Sequence, residues 1–157
     1  FFEKKISTQG YPPASVSFFQ LLTQLSPVKV SIITVVYNSV DTIAAALQSV
    51  LGQDYPDIEY IVIDGQSTDG TQEVIQQHQP HIDVFISEKD EGLYDALNKG
   101  ISLASGEIVG ILHADDLFST PQVISDVVAA YRQKDVDCVY GDLVYVDRTH
   151  TDTVIRT

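Results

Sequence analysis

From Lys29 onward, short runs of β-branched and aliphatic residues alternate with stretches whose apolar positions fall on one helix face. The runs at 29–36, 58–63, 82–86, 107–112 and 136–146 read as strands, and 152–156 as a further strand at a sheet edge. Between them, Ile43, Leu47, Val50 and Leu51 follow the i, i+4, i+7, i+8 spacing of a helix. Leu93, Ala96, Leu97, Ile101 and Ala104 make a second stripe, and Val123, Ile124, Val127, Val128 and Tyr131 a third. A shorter helix from about Thr71 to His78 follows a cap candidate at Ser67-Thr68-Asp69.

Strands that are apolar on both faces and alternate with amphipathic helices predict an α/β chain. The expected architecture is a Rossmann-like three-layer sandwich with a mostly parallel central sheet. Residues 1–27, punctuated by Gly10, Pro12, Pro13 and Pro27, read as a leader with one short helix, and 28–157 as the domain. The chain has no Met and stops on a strand-like stretch, so it reads as a fragment truncated at its C-terminus.

Ligands of such sheets bind beyond the carboxyl ends of the strands, and the polar residues fall there. The first junction, Thr34-Val35-Val36-Tyr37-Asn38-Ser39, contains no glycine, so neither the dinucleotide fingerprint nor a P-loop fits. An aromatic ring and free backbone amides there could hold a flat base; the competing reading is a plain turn capped by Asn38 or Ser39. At the second junction Asp64 can accept a hydrogen bond from an imide N–H or a ribose hydroxyl, and Gly65 permits close approach. Asp69-Gly70 reads more simply as a helix-entry turn. At the third, Tyr94 and Asn98 share a helix face beside Asp95, near an N-terminal end that favours anions. A solvated polar face, with Lys99 as a surface charge, is the alternative.

His113-Ala114-Asp115-Asp116 follows the apolar run 108–112. Two adjacent carboxylates repel unless a cation or hydrogen-bond donors face them. Oxygen ligands suit Mg²⁺ or Mn²⁺, which bridge carboxylates to substrate phosphates. His113 would add a nitrogen ligand or contact the nucleotide. Capping of a helix starting near Pro121 would account for Asp116 alone.

Charge removes one class of partner. Nine Lys plus Arg against 22 Asp plus Glu give a net charge of −13, with no basic cluster to neutralise phosphates, so no nucleic acid partner is expected. Cys138, within Val136–Tyr140, reads as core filler in a strand. Neither a membrane-length apolar run nor a signal-peptide pattern is present, so a cytoplasmic location is expected. Association with the inner face of a membrane, through sequence outside this chain, stays open.

Taken together, the segments 30–38, 61–71, 92–101 and 104–116 resemble glycosyltransferase family 2 in order and spacing, across about residues 29–148. The resemblance implies the A-type glycosyltransferase fold. It also implies a nucleotide-diphospho-sugar donor held with a divalent metal, and inverting transfer to a glycan or lipid-linked acceptor, as in polysaccharide biosynthesis. On that basis Thr34, Val35, Val36, Tyr37 and Asn38 would line the base and ribose, with Tyr37 stacking. Asp64 would bind base or ribose, and Tyr94, Asp95, Asn98, His113 and Ala114 complete the nucleotide-sugar-binding candidates. Asp115 and Asp116 would hold metal, ribose and diphosphate.

Two positions depart from the family pattern. Many relatives carry two aspartates where this chain has Asp64-Gly65, often with the second on the base, and Asp commonly stands at the place of His113. In the family, the general base and most acceptor contacts come from later sequence; Asp142 and Asp147 read as structural. The chain is therefore expected to hold a donor but turn over poorly. Other classes weighed are a catalytically inactive sugar-nucleotide-binding module, a nucleotidyltransferase, which usually has a Gly-rich basic first loop, and a receiver-type phosphorylation domain with paired acids.

Overall fold

The computed structural model describes residues 27–134, 136–147, 150 and 153–156. The expected leader helix lies outside the described residues. Four strands, β1 (Val30–Val36), β2 (Ile58–Asp64), β3 (Val84–Ser87) and β4 (Ile108–Ile111), form one parallel sheet in the order β3, β2, β1, β4. Helices α1 (Ile43–Leu51), α2 (Thr71–His78) and α3 (Leu93–Leu103) make the three crossovers, and α4 (Val123–Lys134) follows β4.

Every residue of β1 is buried, which is why its apolar residues fall on both faces instead of alternating with solvated ones; its two polar members, Ser31 and Thr34, are buried as well. One of its faces packs Val30, Ile32 and Val36 with Ile43, Leu47 and Val50 of α1, Ile75 of α2, and Ile124 and Val128 of α4. The opposite face packs Ile33 and Val35 with Ile61 and Ile63 of β2 and Ala96 of α3. The result is the expected three-layer sandwich. Its buried hydroxyls are partnered: Thr34 Oγ1 lies 3.0 Å from Tyr60 Oη, and burial pushes that phenol up to about 12.

Three expectations are corrected. First, of the expected α3 stripe Ala96, Leu97 and Ala104 pack against the sheet, joined by Gly100, whereas Leu93 and Ile101 are each 49% exposed. Close approach decides this orientation: a Cβ on Gly100 would sit 2.5 Å from Ile33 Cγ2, so the small residues face inward. Second, of 136–146 only Tyr145–Val146 (β5) is strand, paired antiparallel with Val154–Arg156 (β6) outside the main sheet. Strand propensity reflects fit to a half-buried pleated surface, and no such surface covers this segment. Third, Cys138 is accordingly exposed rather than core.

A polar latch closes the amino-terminal end of the sheet. Glu59 accepts hydrogen bonds from Lys29 Nζ (2.8 Å), Ser31 Oγ (2.5 Å), Ser105 N (2.8 Å) and Ser105 Oγ (2.6 Å). Ser31 Oγ in turn accepts from Gly106 N (2.8 Å), fixing the loop that leads into β4. Burial opposes ionisation of Glu59, but the Lys29 ammonium, then the Ser105 amide and hydroxyl and the Ser31 hydroxyl, outweigh it and lower its pKa from 4.5 to about 2.

A depressed folded-state pKa means the contribution is complete above the unfolded value and is lost as pH falls from 4.5 towards about 2. Urea unfolding at stepped pH should show that acid loss in the wild type and a flatter limb in Glu59→Gln. At neutral pH that variant should be less stable by about 2 kcal/mol, the scale of hydrogen bonds to a charged group.

Candidate functional site

The carboxyl ends of three strands lie level: Val36 pairs with Asp64, and Asp64 with Ser87. Beyond β4, Leu112 N donates to Ile33 O (3.0 Å), which carries the chain alongside β1 and delivers His113 to the same end. Ala114 is buried in the core beneath, so the exposed Asp115 stands on an anchored residue.

The loops after β1 and β2 hold each other. Asn38 N donates to Ser67 Oγ (2.8 Å), Ser39 N to Thr71 Oγ1 (2.8 Å) and Val40 N to Asp69 Oδ2 (3.1 Å). In return Thr68 N donates to Asn38 Oδ1 (2.9 Å). Asn38 and Gln66 take the left-handed backbone conformation (φ 46° and 65°), which turns each chain sharply out of its strand. Beneath them Asp64 is fully buried, accepting from Ser67 Oγ (2.5 Å), Ser67 N and Ser87 Oγ (2.6 Å). The amides of residues 38–40 are thus engaged rather than free for a base. Neither Asn38 nor Ser39 caps α1 through its side chain, which corrects the plain-turn reading.

A cleft of about 450 Å³ opens over these loops. Of the candidate residues, it brings together Val35, Val36, Tyr37 and Asn38 on one side and His113, Ala114 and Asp115 on the other. Residues 39–42, Asp69 and Leu93 complete the wall. Asp69 was read as a turn residue; its hydrogen bonds from the Thr71 hydroxyl, Val40 N and Thr71 N, led by the hydroxyl, lower its pKa. Its offset five residues from the strand end, just before a helix, was the sequence signal.

Other candidates are not brought to this cleft. Thr34 lies in the core against Tyr60, and Asp64 lies under the loops. Tyr94 is exposed on α3. Asp95 accepts from Glu91 N (3.2 Å) and lies 3.1 Å from Lys99 Nζ, and these two contacts, in that order, lower its pKa. Lys99 also pairs with Glu88 (3.0 Å), so it is a partnered charge rather than a solvated one. Asn98 is exposed and does not line the cleft.

The carboxylate pair is divided. Asp115 borders the cleft, whereas Asp116 is half-buried beside it, its N–H donating to His113 O (3.0 Å). Asp116 is not the cap of α4: Gln53 Oε1 takes the Ile124 N–H (3.0 Å) and Gln53 Nε2 donates to Thr120 O (2.9 Å). Among the described residues no three His, Cys, Asp or Glu side chains converge to hold a metal unaided. The donor set nevertheless fits a hard cation shared with a phosphate ligand, since Mg²⁺ typically uses one or two carboxylates plus substrate oxygens. Among the described residues the wall supplies Asp41, Asp69 and Asp115 and no Lys or Arg, a charge balance under which a diphosphate would call for a cation.

The profile of glycosyl transferase family 2 matches residues 31–155. The chain belongs to this family. It is 41% identical over 106 residues to an uncharacterised glycosyltransferase of Mycobacterium tuberculosis, covering 67% of this chain and 40% of that protein. A PGL/p-HBAD biosynthesis glycosyltransferase of Mycobacterium bovis is 32% identical over 118 residues, with 73% and 46% covered. This family 2 chain therefore spans less than half the length of these relatives.

Among solved structures, a Pyrobaculum calidifontis mannosyltransferase in complex with GDP-mannose and Mn²⁺ superposes with a TM-score of 0.65 at 29% identity, covering 74% of this chain and 36% of the other. Staphylococcus aureus TarS in complex with UDP-GlcNAc gives 0.63 at 23% identity, with 74% and 37% covered. The fold is the A-type glycosyltransferase fold. No helix among the described residues is long and apolar enough to cross a membrane.

Ser67 joins the buried Asp64 to the Asn38 amide, so Ser67→Ala should cost about 1–3 kcal/mol by leaving the Asn38 N–H without its acceptor and Asp64 with one donor fewer. Amide hydrogen exchange should rise at Asn38 while the amides of β1 stay protected. Unchanged exchange at Asn38 would show that the loop does not depend on this hydroxyl.

Proposed function

We propose that this chain is the donor-binding part of an inverting glycosyltransferase. The cleft takes a nucleotide-diphospho-sugar together with Mg²⁺ or Mn²⁺ for transfer to a glycan or lipid-linked acceptor. The observation that carries this reading is the make-up of the cleft: one wall joins the exposed ring of Tyr37 to His113 and the carboxylate of Asp115. The bound GDP-mannose and Mn²⁺ of the mannosyltransferase neighbour support it by likeness.

In this proposal Tyr37 stacks on the base, and Val35 and Val36 form an apolar floor. Asp115 orients the diphosphate end, with Asp116 beside it. The bound cation supplies charge that offsets the negative charge on the departing diphosphate. Asp64 acts from below, holding Ser67 and through it the Asn38 loop, rather than touching the donor.

Inversion requires a carboxylate that takes the acceptor hydroxyl's proton as that oxygen attacks opposite the diphosphate. Asp147 accepts from His150 N in the β5–β6 connection, and Asp142 is exposed in irregular chain. We assign neither as the base, and we place acceptor binding in sequence beyond the donor half. Attachment to a membrane surface and a cytoplasmic location belong to the same proposal.

Calorimetric titration with GDP and UDP, with and without Mn²⁺, tests the donor site. Binding by the wild type should need Mn²⁺, the Mn²⁺-dependent binding should be lost in Asp115→Ala, and binding should weaken about ten- to a hundredfold in Tyr37→Ala, the range of one base–aromatic stack. Metal-independent binding, or none by the folded protein, would contradict the proposal.

A further inference from the structure

The loop after β3 places a carboxylate where the second junction carries no side chain. A Cβ on Gly65 would lie 2.7 Å from Asp90 Oδ2 and 3.3 Å from Tyr37 Cδ2. Asp90 therefore packs over the Gly65 backbone, next to the edge of the ring that forms one wall of the cleft. Its position is set rather than incidental: Asp90 Oδ1 accepts from Gly92 N (2.9 Å), and Glu88 N donates to Asp64 O (3.0 Å), holding the start of the loop to the end of β2. Asp90 is half-buried, and no hydrogen bond to its Oδ2 is formed among the described residues.

Building on the donor-site reading above, we infer that Asp90 selects the base of the donor nucleotide. A base stacked on Tyr37 turns its hydrogen-bonding edge past the ring towards the notch over Gly65. There Oδ2 is an ionised acceptor with an open lone pair, and the best partner is a ring N–H. Uracil, thymine and guanine carry one. Adenine and cytosine present a ring-nitrogen lone pair at the corresponding place, which a carboxylate repels. Gly65 leaves room for the carboxylate, since a Cβ there would displace Asp90 Oδ2; its backbone is not in the left-handed region, so the constraint is space alone.

The test is displacement binding of UDP, GDP, CDP and ADP to the 157-residue chain with Mn²⁺, in wild type, Asp90→Asn and Gly65→Ala. Asp90→Asn keeps an oxygen for Gly92 N and removes the charge. Gly65→Ala keeps the charge and pushes it aside. In the wild type, UDP or GDP should bind about ten- to a hundredfold tighter than CDP and ADP, the discrimination that a charged hydrogen bond provides. Both variants should compress that ranking while binding remains Mn²⁺-dependent.

A flat ranking in the wild type, or a ranking unchanged in both variants, would overturn the role of Asp90 and leave the donor site standing. Absence of Mn²⁺-dependent binding for all four nucleotides would overturn the donor site and the selector together.

Discussion

The mutual satisfaction of two loops is the constraint on which the site depends. Where β1 and β2 end side by side, the backbone leaves the ladder, and each amide that loses its strand partner needs another acceptor. Residues 38–40 find theirs in Ser67, Thr71 and Asp69, and the whole arrangement rests on the buried Asp64. A buried carboxylate is tolerated only when it is fully hydrogen-bonded, and Ser67 and Ser87 meet that need.

This closure leaves a cleft that recognises ligands with side chains rather than with amides. An exposed tyrosine ring, His113 and three carboxylates line it, with no Lys or Arg among the described residues of the wall. Such a surface is suited to a flat base at one end and to a cation-bridged polyanion at the other. The same logic appears in reverse at the opposite end of the sheet, where Glu59 gathers a lysine and two serines into a purely structural latch. Two buried carboxylates thus fix the two ends of the parallel sheet, and the carboxylates left exposed are the ones that line the cleft.

The central architecture was legible because β1 and β2 are buried on both faces and so are rich in β-branched and aliphatic residues at successive positions, with their few polar members Ser31, Thr34, Glu59 and Asp64 buried and hydrogen-bonded. The orientation of α3 was not, because apolar size pointed to Leu93 and Ile101, whereas the close approach of Ile33 selects Ala96 and Gly100. Residues 136–144 carry strand-forming side chains but no covering surface, and propensity cannot supply one. At the site, Tyr37 and Asp115 could be read from their places at strand ends. Asp69 carried a partial signal in its place just before a helix, whereas the placements of Gln53 and Asp90 carried none, since each meets its partner across a sequence gap that only folding closes. Asp64 illustrates the limit of motif reading: a polar residue at a strand end can hold the loop instead of the ligand.

The central claim is that a donor nucleotide and its cation share the cleft between Tyr37 and Asp115. Paramagnetic broadening of backbone amide signals by trace Mn²⁺, with GDP or UDP present, tests it most directly. The account predicts nucleotide-dependent broadening centred on residues 113–116, reaching the loop at 37–42, with the Glu59–Ser105 end of the sheet unaffected. Broadening centred elsewhere, or the same with and without nucleotide, would contradict it.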